Sequence, residues 1–580
     1  MPNSTTKTPP WSIFERSRVF ILIIGVVLGA LIEEIYWFGR PNQLTVAYSL
    51  GNKTCLDTSS QKHLTRTAGP DSTIDFQTED EEIILRGKPF TRSLRKFHVI
   101  STAKSRFYLQ ENRKNPPPVF KGQILNVTID TYDAYGRHRT EGGDFFFAVM
   151  SNNKLQKSTA GRIIDHNNGS YTVQFYAGWA GPASIVITLV HPREAVNWIE
   201  TVYRPKERCI DWNASFKNQN TTEGSTCYVF RGATVKNKCV YRNENALGKT
   251  EFVCDSPKHL SCDDISTVKS DVRTLVTYVQ QSLSDEEDFL FKKPYLMTPL
   301  AGSPMKIEIK EPKSEDKFAR LLPGALRPCG PDLPIPISDG FWESTTKWTS
   351  LACMARHWNA DQMIQCAHGK SFVIIGDSTT RQWHAAITKM LKLKLEGGGL
   401  LQRSEGSSHN ISATFHFHAV AVGSAVLDFW KQRFESDIID NIIDTQCNSV
   451  IVLSISYHFA SWTKASYEER LNRIRLAITR LRNRCPDITI VVKSSHPRDH
   501  RGMEAYIHSS DWTLYDMNRK MRESFRGLGM NFVDVYDMSL AHFATNNVHM
   551  PVDTVIPQQV DLLFSYVCPN LQLKLVTSKN

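Results

Sequence analysis

Twelve cysteines are present in this 580-residue chain, yet no two of them form a Cys-x-x-Cys pair. That absence removes zinc knuckles and thioredoxin-type redox motifs from consideration. All twelve lie after residue 50, as structural disulfides of an oxidising compartment would, although the pairing cannot be deduced from spacing. Strong charge is also missing. The formal +10 is spread along the chain, with no dense basic arm, zinc-finger spacing or aromatic RNA-binding signature, so nucleic acid is excluded as a partner and anionic glycans or a membrane surface are mildly favoured. No metal-ligand spacing and no coenzyme A motif stand out. Long apolar runs are scarce, and the exception is Val19 to Ile32.

That run of fourteen residues follows Arg16 and Arg18 and precedes Glu33, Glu34 and the group Ile35-Tyr36-Trp37-Phe38. It is a targeting segment with two open readings. Fourteen residues suit the core of a cleaved signal peptide, with Val27 and Gly29 before the cleavage point. Residues 19–38 also span a bilayer if Glu33 and Glu34 sit among headgroups, with the positive flank in the cytosol. The retained type II anchor at the Golgi or cell surface is preferred over a secreted product, and both export the bulk of the chain. Glycosylation sequons agree with export: Asn52, Asn126, Asn168, Asn213, Asn220 and Asn410 all lie beyond the apolar segment.

Hydrophobic content of 41% and charged content of 22% are those of a globular protein, and the length suggests about two to four domains. After a cytosolic tail (1–18) and the apolar segment (19–38), residues 39–84 read as a stalk. From 85 to 195 the pattern is all-β, with strand-like runs at Leu125 to Ile129, Phe145 to Met150, Gly161 to Asp165, Tyr171 to Tyr176 and Ser184 to Val190 between Gly and Asn turns. Such spacing predicts an Ig-like β-sandwich. A cysteine-rich extension (196–265) follows, then a linker (266–326) with an amphipathic helix over Ser266 to Leu283 and a charged, proline-bearing stretch, Lys306 to Pro323. From 327 to 580, strand-like runs at Phe372 to Ile375, Ser449 to Ile455, Ile488 to Lys493 and Phe532 to Tyr536 alternate with helix-like stretches at Thr379 to Lys392, Tyr467 to Arg484 and Trp512 to Arg526. That alternation predicts a doubly wound α/β domain, whose ligands lie beyond the carboxyl ends of its strands.

Gly376-Asp377-Ser378 falls at such an end. Gly376 permits a sharp turn, and a helix beginning at Ser378 would offer its amino-terminal N–H groups to an oxyanion. The plain alternative is that Asp377 or Ser378 only caps the helix. A serine nucleophile needs a base, and His549, on a loop after the fourth strand, is the leading candidate beside His542, His496, His500, His458 and His384.

Gly376-Asp377-Ser378, Gly340-Phe341-Trp342, Trp348, Cys353, His549-Met550-Pro551, Gln559-Val560-Asp561 and Ser565-Tyr566-Val567-Cys568 together resemble the PC-esterase group of the Gly-Asp-Ser-Leu/SGNH hydrolases. The β-rich and cysteine-rich part resembles neurexophilin. The combination is similar to the NXPE family, neurexophilin and PC-esterase domain proteins, over nearly everything after residue 85. The resemblance implies Ser378 as nucleophile and His549 as base. Relatives in the PC-esterase group include plant polysaccharide O-acetyltransferases and a Golgi sialate O-acetyltransferase. The implied substrate is therefore a glycan or sialoglycan hydroxyl, with acetyl-CoA or another acyl donor and no tightly bound cofactor. Neurexophilins bind neurexins, which implies a catalytically silent glycoprotein with a cell-surface partner as the alternative. The chain departs from the group's Asp-x-x-His at Asn546. An amide can orient an imidazole but does not stabilise its cation, and the same change costs a serine protease about 10⁴ in rate; Asp534 or Asp537 are spatial substitutes. Further oxyanion contributors are the backbone around Gly376 and Asp377, Gly398 in Gly397-Gly398-Gly399, and His458, which stands where SGNH enzymes commonly place an asparagine donor.

Overall fold

The computed structural model describes residues 96–109, 118–232, 236–313, 326–406, 409–423, 425–444, 447–500, 502–544 and 547–571. The apolar segment, the stalk, Asn52 and Asn546 lie outside the described residues. Residues 84–396 and 400–580 cluster as one unit, from which Gly397–Gly399 are set apart.

In the β-rich part, Arg106–Leu109, Ile124–Asp130, Ser170–Tyr176 and Arg162–Asp165 form an antiparallel four-stranded sheet in that order. Every second side chain of Ile124–Asp130 is buried, as the strand period requires when one face packs inward. Val127, Ile129, Val173 and Phe175 share a core with Phe146, Ala148, Met150, Ile185, Ile187 and Leu189 of a second sheet of eight strands. That sheet centres on Phe145–Asn152 and Gly181–His191. Two of its strands come from much later in the chain, because the hairpin of Gly340–Ser344 and Lys347–Ser350 extends it through Lys157–Ala160.

The span read as a linker is structured in part. Ser266 to Asp271 belongs to the strand Ile265–Asp271, paired with Asp211–Lys217, and the helix begins only at Val272, where the Asp271 carboxylate accepts from Arg273 N–H. Met305–Lys310 is a strand alongside Gly181–Ile185, burying Ile309. A six-stranded sheet carries most of the cysteine-rich extension, and its Trp212, Ala214, Phe216, Phe252 and Val268 share one hydrophobic core with Tyr467, Leu471 and Ile474 of the helix Lys464–Arg484.

Farther along, Ile411–Phe417, Ser371–Gly376, Ser449–Leu453, Thr489–Lys493 and Asn531–Val533 are parallel neighbours, with Leu401–Gly406 antiparallel beyond Ile411–Phe417. Both faces are covered, so the strands read as near-continuous apolar runs. Ile375, Ile451, Leu453, Ile490 and Val492 face Lys464–Arg484 and Asp511–Phe525. Phe372, Ile374, Val450, Val452 and Val491 face the helices Ser378–Met390 and Val555–Val567. The fourth expected strand is shorter than its sequence suggests, since Tyr536 opens the helix Tyr536–Ala541. Among the described residues five disulfides close Cys227–Cys254, Cys239–Cys262, Cys329–Cys353, Cys366–Cys568 and Cys447–Cys485. Cys209 is a buried free thiol, pushed up to about 12 by burial.

Candidate active site

Gly376 ends its strand against the backbone that follows the neighbouring strand Ser449–Leu453. A Cβ there would lie 2.9 Å from the Ser454 carbonyl oxygen and 2.5 Å from Thr380 Oγ1, so a side chain has no room. Asp377 then caps the following helix, its Oδ1 accepting from Thr379 N–H at 2.8 Å and Thr379 Oγ1 at 2.7 Å, while its carbonyl accepts from the Thr380 and Arg381 amides. The amide of Ser378, first residue of the thirteen-residue helix, enters none of these cap bonds and stands beside its own hydroxyl. Donors at such a terminus carry partial positive charge.

Ser378 Oγ lies 2.8 Å from His549 Nε2, across 171 positions of sequence. Ser378 is half-buried and His549 exposed. The histidine's loop is gripped on both sides: His496 Nε2 donates to the Val548 carbonyl at 3.2 Å, and Gln382 Nε2, one turn along the Ser378 helix, donates to the Met550 carbonyl at 2.9 Å. Although the residue is solvent-exposed, desolvation of its ring by neighbouring groups pulls the His549 imidazole below its ordinary value; the Asp377 carboxylate opposes that pull and Arg381 adds to it. A base held neutral near pH 7 is what proton abstraction from a hydroxyl needs.

Neither spatial substitute for the missing acid serves this imidazole. Asp534 accepts from Ser494 Oγ and Tyr536 N–H at 3.0 Å and from Arg522 at 3.1 Å. Asp537 is raised to about 7 by burial and by the charge of Asp534. The carboxylate that does act on His549 is Asp377, 2% exposed, with its Oδ2 buried and unbonded. Lys493, at the end of its strand and fully buried, donates to Thr379 Oγ1 at 3.3 Å. Burial lowers its amine to about 8 against the partial support of Asp377.

His458 is half-buried in the turn after Ser449–Leu453, and its Nδ1 lies 2.6 Å from His418 Nε2. Gly398 ends the strand Lys394–Gly398, inside the separately grouped Gly397–Gly399. The other histidines serve elsewhere: His384 faces the Ala413 carbonyl, His542 the Thr345 carbonyl and His500 the Asp511 carboxylate. A cavity of about 340 Å³ beside Trp348 and Asp561, and an open cleft of about 980 Å³ beside Lys370 and Cys568, contain neither Ser378 nor His549. The close pair of reactive side chains, not cavity size, marks the site. Lys493, Gln382 and His418 are additions that the motifs did not flag. Only Lys493 left a trace, as a cation closing an otherwise apolar strand.

Residues 88–293 match the neurexophilin family model, and residues 348–568 match the model described as NXPE family member 4-like, C-terminal domain. The chain belongs to the NXPE family. Among solved structures, the crystal structure of invasin, a bacterial integrin-binding protein, aligns at 8% identity over 55% of this NXPE chain and 60% of its own length, less than two thirds of it, with a TM-score of 0.13; so slight a likeness carries no argument. Five disulfides and the neurexophilin match mark this family member as a product of the secretory pathway or the extracellular space. Asn168, Asn213, Asn220 and Asn410 are exposed and Asn126 half-buried. Among the described residues no helix is long and apolar enough to cross a membrane.

Proposed function

We propose that this protein is a glycan O-acyltransferase or esterase of the secretory pathway, sialoglycan O-acetylation included, working through an acyl-enzyme on Ser378. The observation that carries the reading is the 2.8 Å contact between Ser378 Oγ and His549 Nε2. We read the carboxyl-terminal part as an SGNH/PC-esterase-like doubly wound domain and the β-rich part as an Ig-like sandwich. His549 Nε2 takes the Ser378 proton as Oγ bonds to the acyl carbon. The leaving group departs with that proton, and the oxyanion is held by the Ser378 amide at the helix start. A sugar hydroxyl or water then attacks, passes its proton to Nε2, and Ser378 Oγ leaves with it. An exposed histidine and a half-buried serine make a shallow site, suited to a substituent on a large glycan. Acetyl-CoA or another acyl donor supplies the group and nothing need be tightly bound.

The test is acyl transfer by the full chain from acetyl-CoA or an activated acetyl ester to sialylated mucin-type glycans, with Ser378→Ala and His549→Ala beside wild type. Loss of transfer in both is expected; transfer that survives both overturns the assignment. A second reading, a silent glycoprotein binding a cell-surface partner through its β-rich half, is favoured by asparagine at 546 in place of the acid of the PC-esterase group and by the neurexophilin match. Wild type that never acylates Ser378 with an activated ester, yet is captured by neurexin-type ectodomains, would establish it. The type II anchor is part of the proposal; carbonate extraction that releases a chain newly beginning near Ala30 rules it out.

A further inference from the structure

The hydrogen-bond chain behind Ser378 assigns a role to His458 opposite to the oxyanion donor expected from sequence. His418 Nδ1 lies 3.0 Å from the Ala419 carbonyl oxygen. A carbonyl only accepts, so Nδ1 carries the hydrogen. His418 is 1% exposed, and burial, with His458 and Arg470 nearby, holds it far below the ordinary imidazole range. It is therefore neutral and its Nε2 is a bare lone pair. The partner nitrogen 2.6 Å away, His458 Nδ1, must be the donor. Burial also lowers His458; His549 adds to that effect and Asp377 opposes it. With its hydrogen on Nδ1, neutral His458 presents a lone pair at Nε2, and a lone pair facing an oxyanion would repel it.

This nitrogen belongs to the same strand-end surface as the serine. Ser449–Leu453 runs beside Ser371–Gly376, the Ser454 amide donates to Ile375 and the His418 amide to Gly376, and both Asp377 and His549 act on the His458 charge. His418 is sealed, whereas His458 keeps solvent access. Its Nδ1 edge is spent on His418, which leaves Nε2 on the opposite edge of the ring.

We propose that His418 fixes His458 Nε2 as a hydrogen-bond acceptor beside Ser378, and that the acyl acceptor is an alcohol carrying a second donor, a vicinal hydroxyl or an amide N–H, which binds there. The inference rests on the acyl-enzyme reading above and deepens it. The attacking hydroxyl gives its proton to His549 Nε2, forms the new C–O bond and displaces Ser378 Oγ, which receives that proton. The neighbouring donor stays intact and only orients the attack. His458 thus touches the acceptor and selects among alcohols, while His418, acting through it, is the positioning residue.

The experiment uses the full chain with p-nitrophenyl acetate as acetyl donor and three small alcohols as acceptors: 1,2-ethanediol, N-acetylethanolamine and 2-methoxyethanol, which differ in the group beside the attacking hydroxyl. Products are counted as acetate esters per p-nitrophenolate released. Wild type is expected to favour the first two over 2-methoxyethanol by about tenfold, the worth of one neutral hydrogen bond, after correction for the two equivalent hydroxyls of the diol. His458→Phe is expected to bring the ratio to near one, and His458→Gln, which retains an acceptor oxygen, to keep part of it. A ratio within each variant does not depend on yield or overall rate, and the wild-type ratio is a test even if a variant does not fold. Equal use of the three alcohols by wild type, or an undiminished preference in His458→Phe, overturns this inference while leaving Ser378 acylation standing. Absence of any p-nitrophenolate burst that Ser378→Ala removes overturns the acyl-enzyme reading and this inference with it.

Discussion

His549 and Lys493 are both shifted downward by desolvation, and in each case a property rises with pH, a rate for the first and a stability for the second. A general base works when unprotonated, and His549 is held below the ordinary 6.5, so the acylation rate should rise through a midpoint below pH 6.5 and be flat above neutrality. Stopped-flow acylation by p-nitrophenyl acetate between pH 4.5 and 8 measures that limb; a midpoint above 6.5 would contradict it. Lys493 has a folded value of about 8 against 10.5, so between these values the unfolded chain binds the extra proton and stability climbs with pH. Below about 8 both states are protonated and the full cost of burying the cation is felt. Relative to Lys493→Met, wild type should gain up to roughly 3 kcal/mol as pH rises from 8 to 10.5, read from paired urea denaturations. The serine and its histidine were legible as residues because strand, turn and helix chemistry put the hydroxyl at a strand end and a late loop could return the imidazole. The His418–His458 pair was not, since the rings lie 40 positions apart and which nitrogen donates is decided by how the folded backbone turns the Ala419 carbonyl.

Among the elements, the loop that carries His549 is described by its two anchors more than by its own structure. Gln382→Ala removes the bond to the Met550 carbonyl, and His496→Phe the bond to Val548. Each should lower the rate of Ser378 acylation by roughly 10- to 100-fold through misplacement of the imidazole. For Gln382→Ala the unfolding midpoint should stay unchanged. Labelling of Ser378 by an alkyl phosphonofluoridate, followed by mass spectrometry, gives the rate. Labelling at the wild-type rate in both variants would show that the anchors do not position the base. Parallel strands were readable from their apolar runs, whereas Leu401–Gly406 was not, because its inward positions are Gln402 and Ser404 and no alternation of apolar residues marks it. Likewise the apolar spacing of Ser266 to Leu283 suits a helix throughout, but Asp271 caps the chain midway and sheet pairing claims what precedes it.

At the level of the whole molecule, the sequence divided the chain at about 327, and the structure stitches across that point. Trp342 pairs with Ser158 in the shared sheet, Thr159 Oγ1 donates to the Gly340 carbonyl at 2.8 Å, and buried Arg204 meets Asp516 at 2.6 Å. Composition shifts mark where character changes, not where contacts stop, so these long-range pairings were illegible. Cys366–Cys568 encloses 202 positions and Cys447–Cys485 only 38. The loop-entropy model assigns about 5 and about 4 kcal/mol to such spans. Cys366→Ser with Cys568→Ser should therefore lower the urea midpoint more than Cys447→Ser with Cys485→Ser. The reverse order would mean that strain or unfolded-state structure outweighs loop length. The hairpin lent by Gly340–Ser350 to the eight-stranded sheet has a mechanical result: under the function proposed above, a receptor that grasped the β-rich half would also set the height and bearing of Ser378 above the surface it serves.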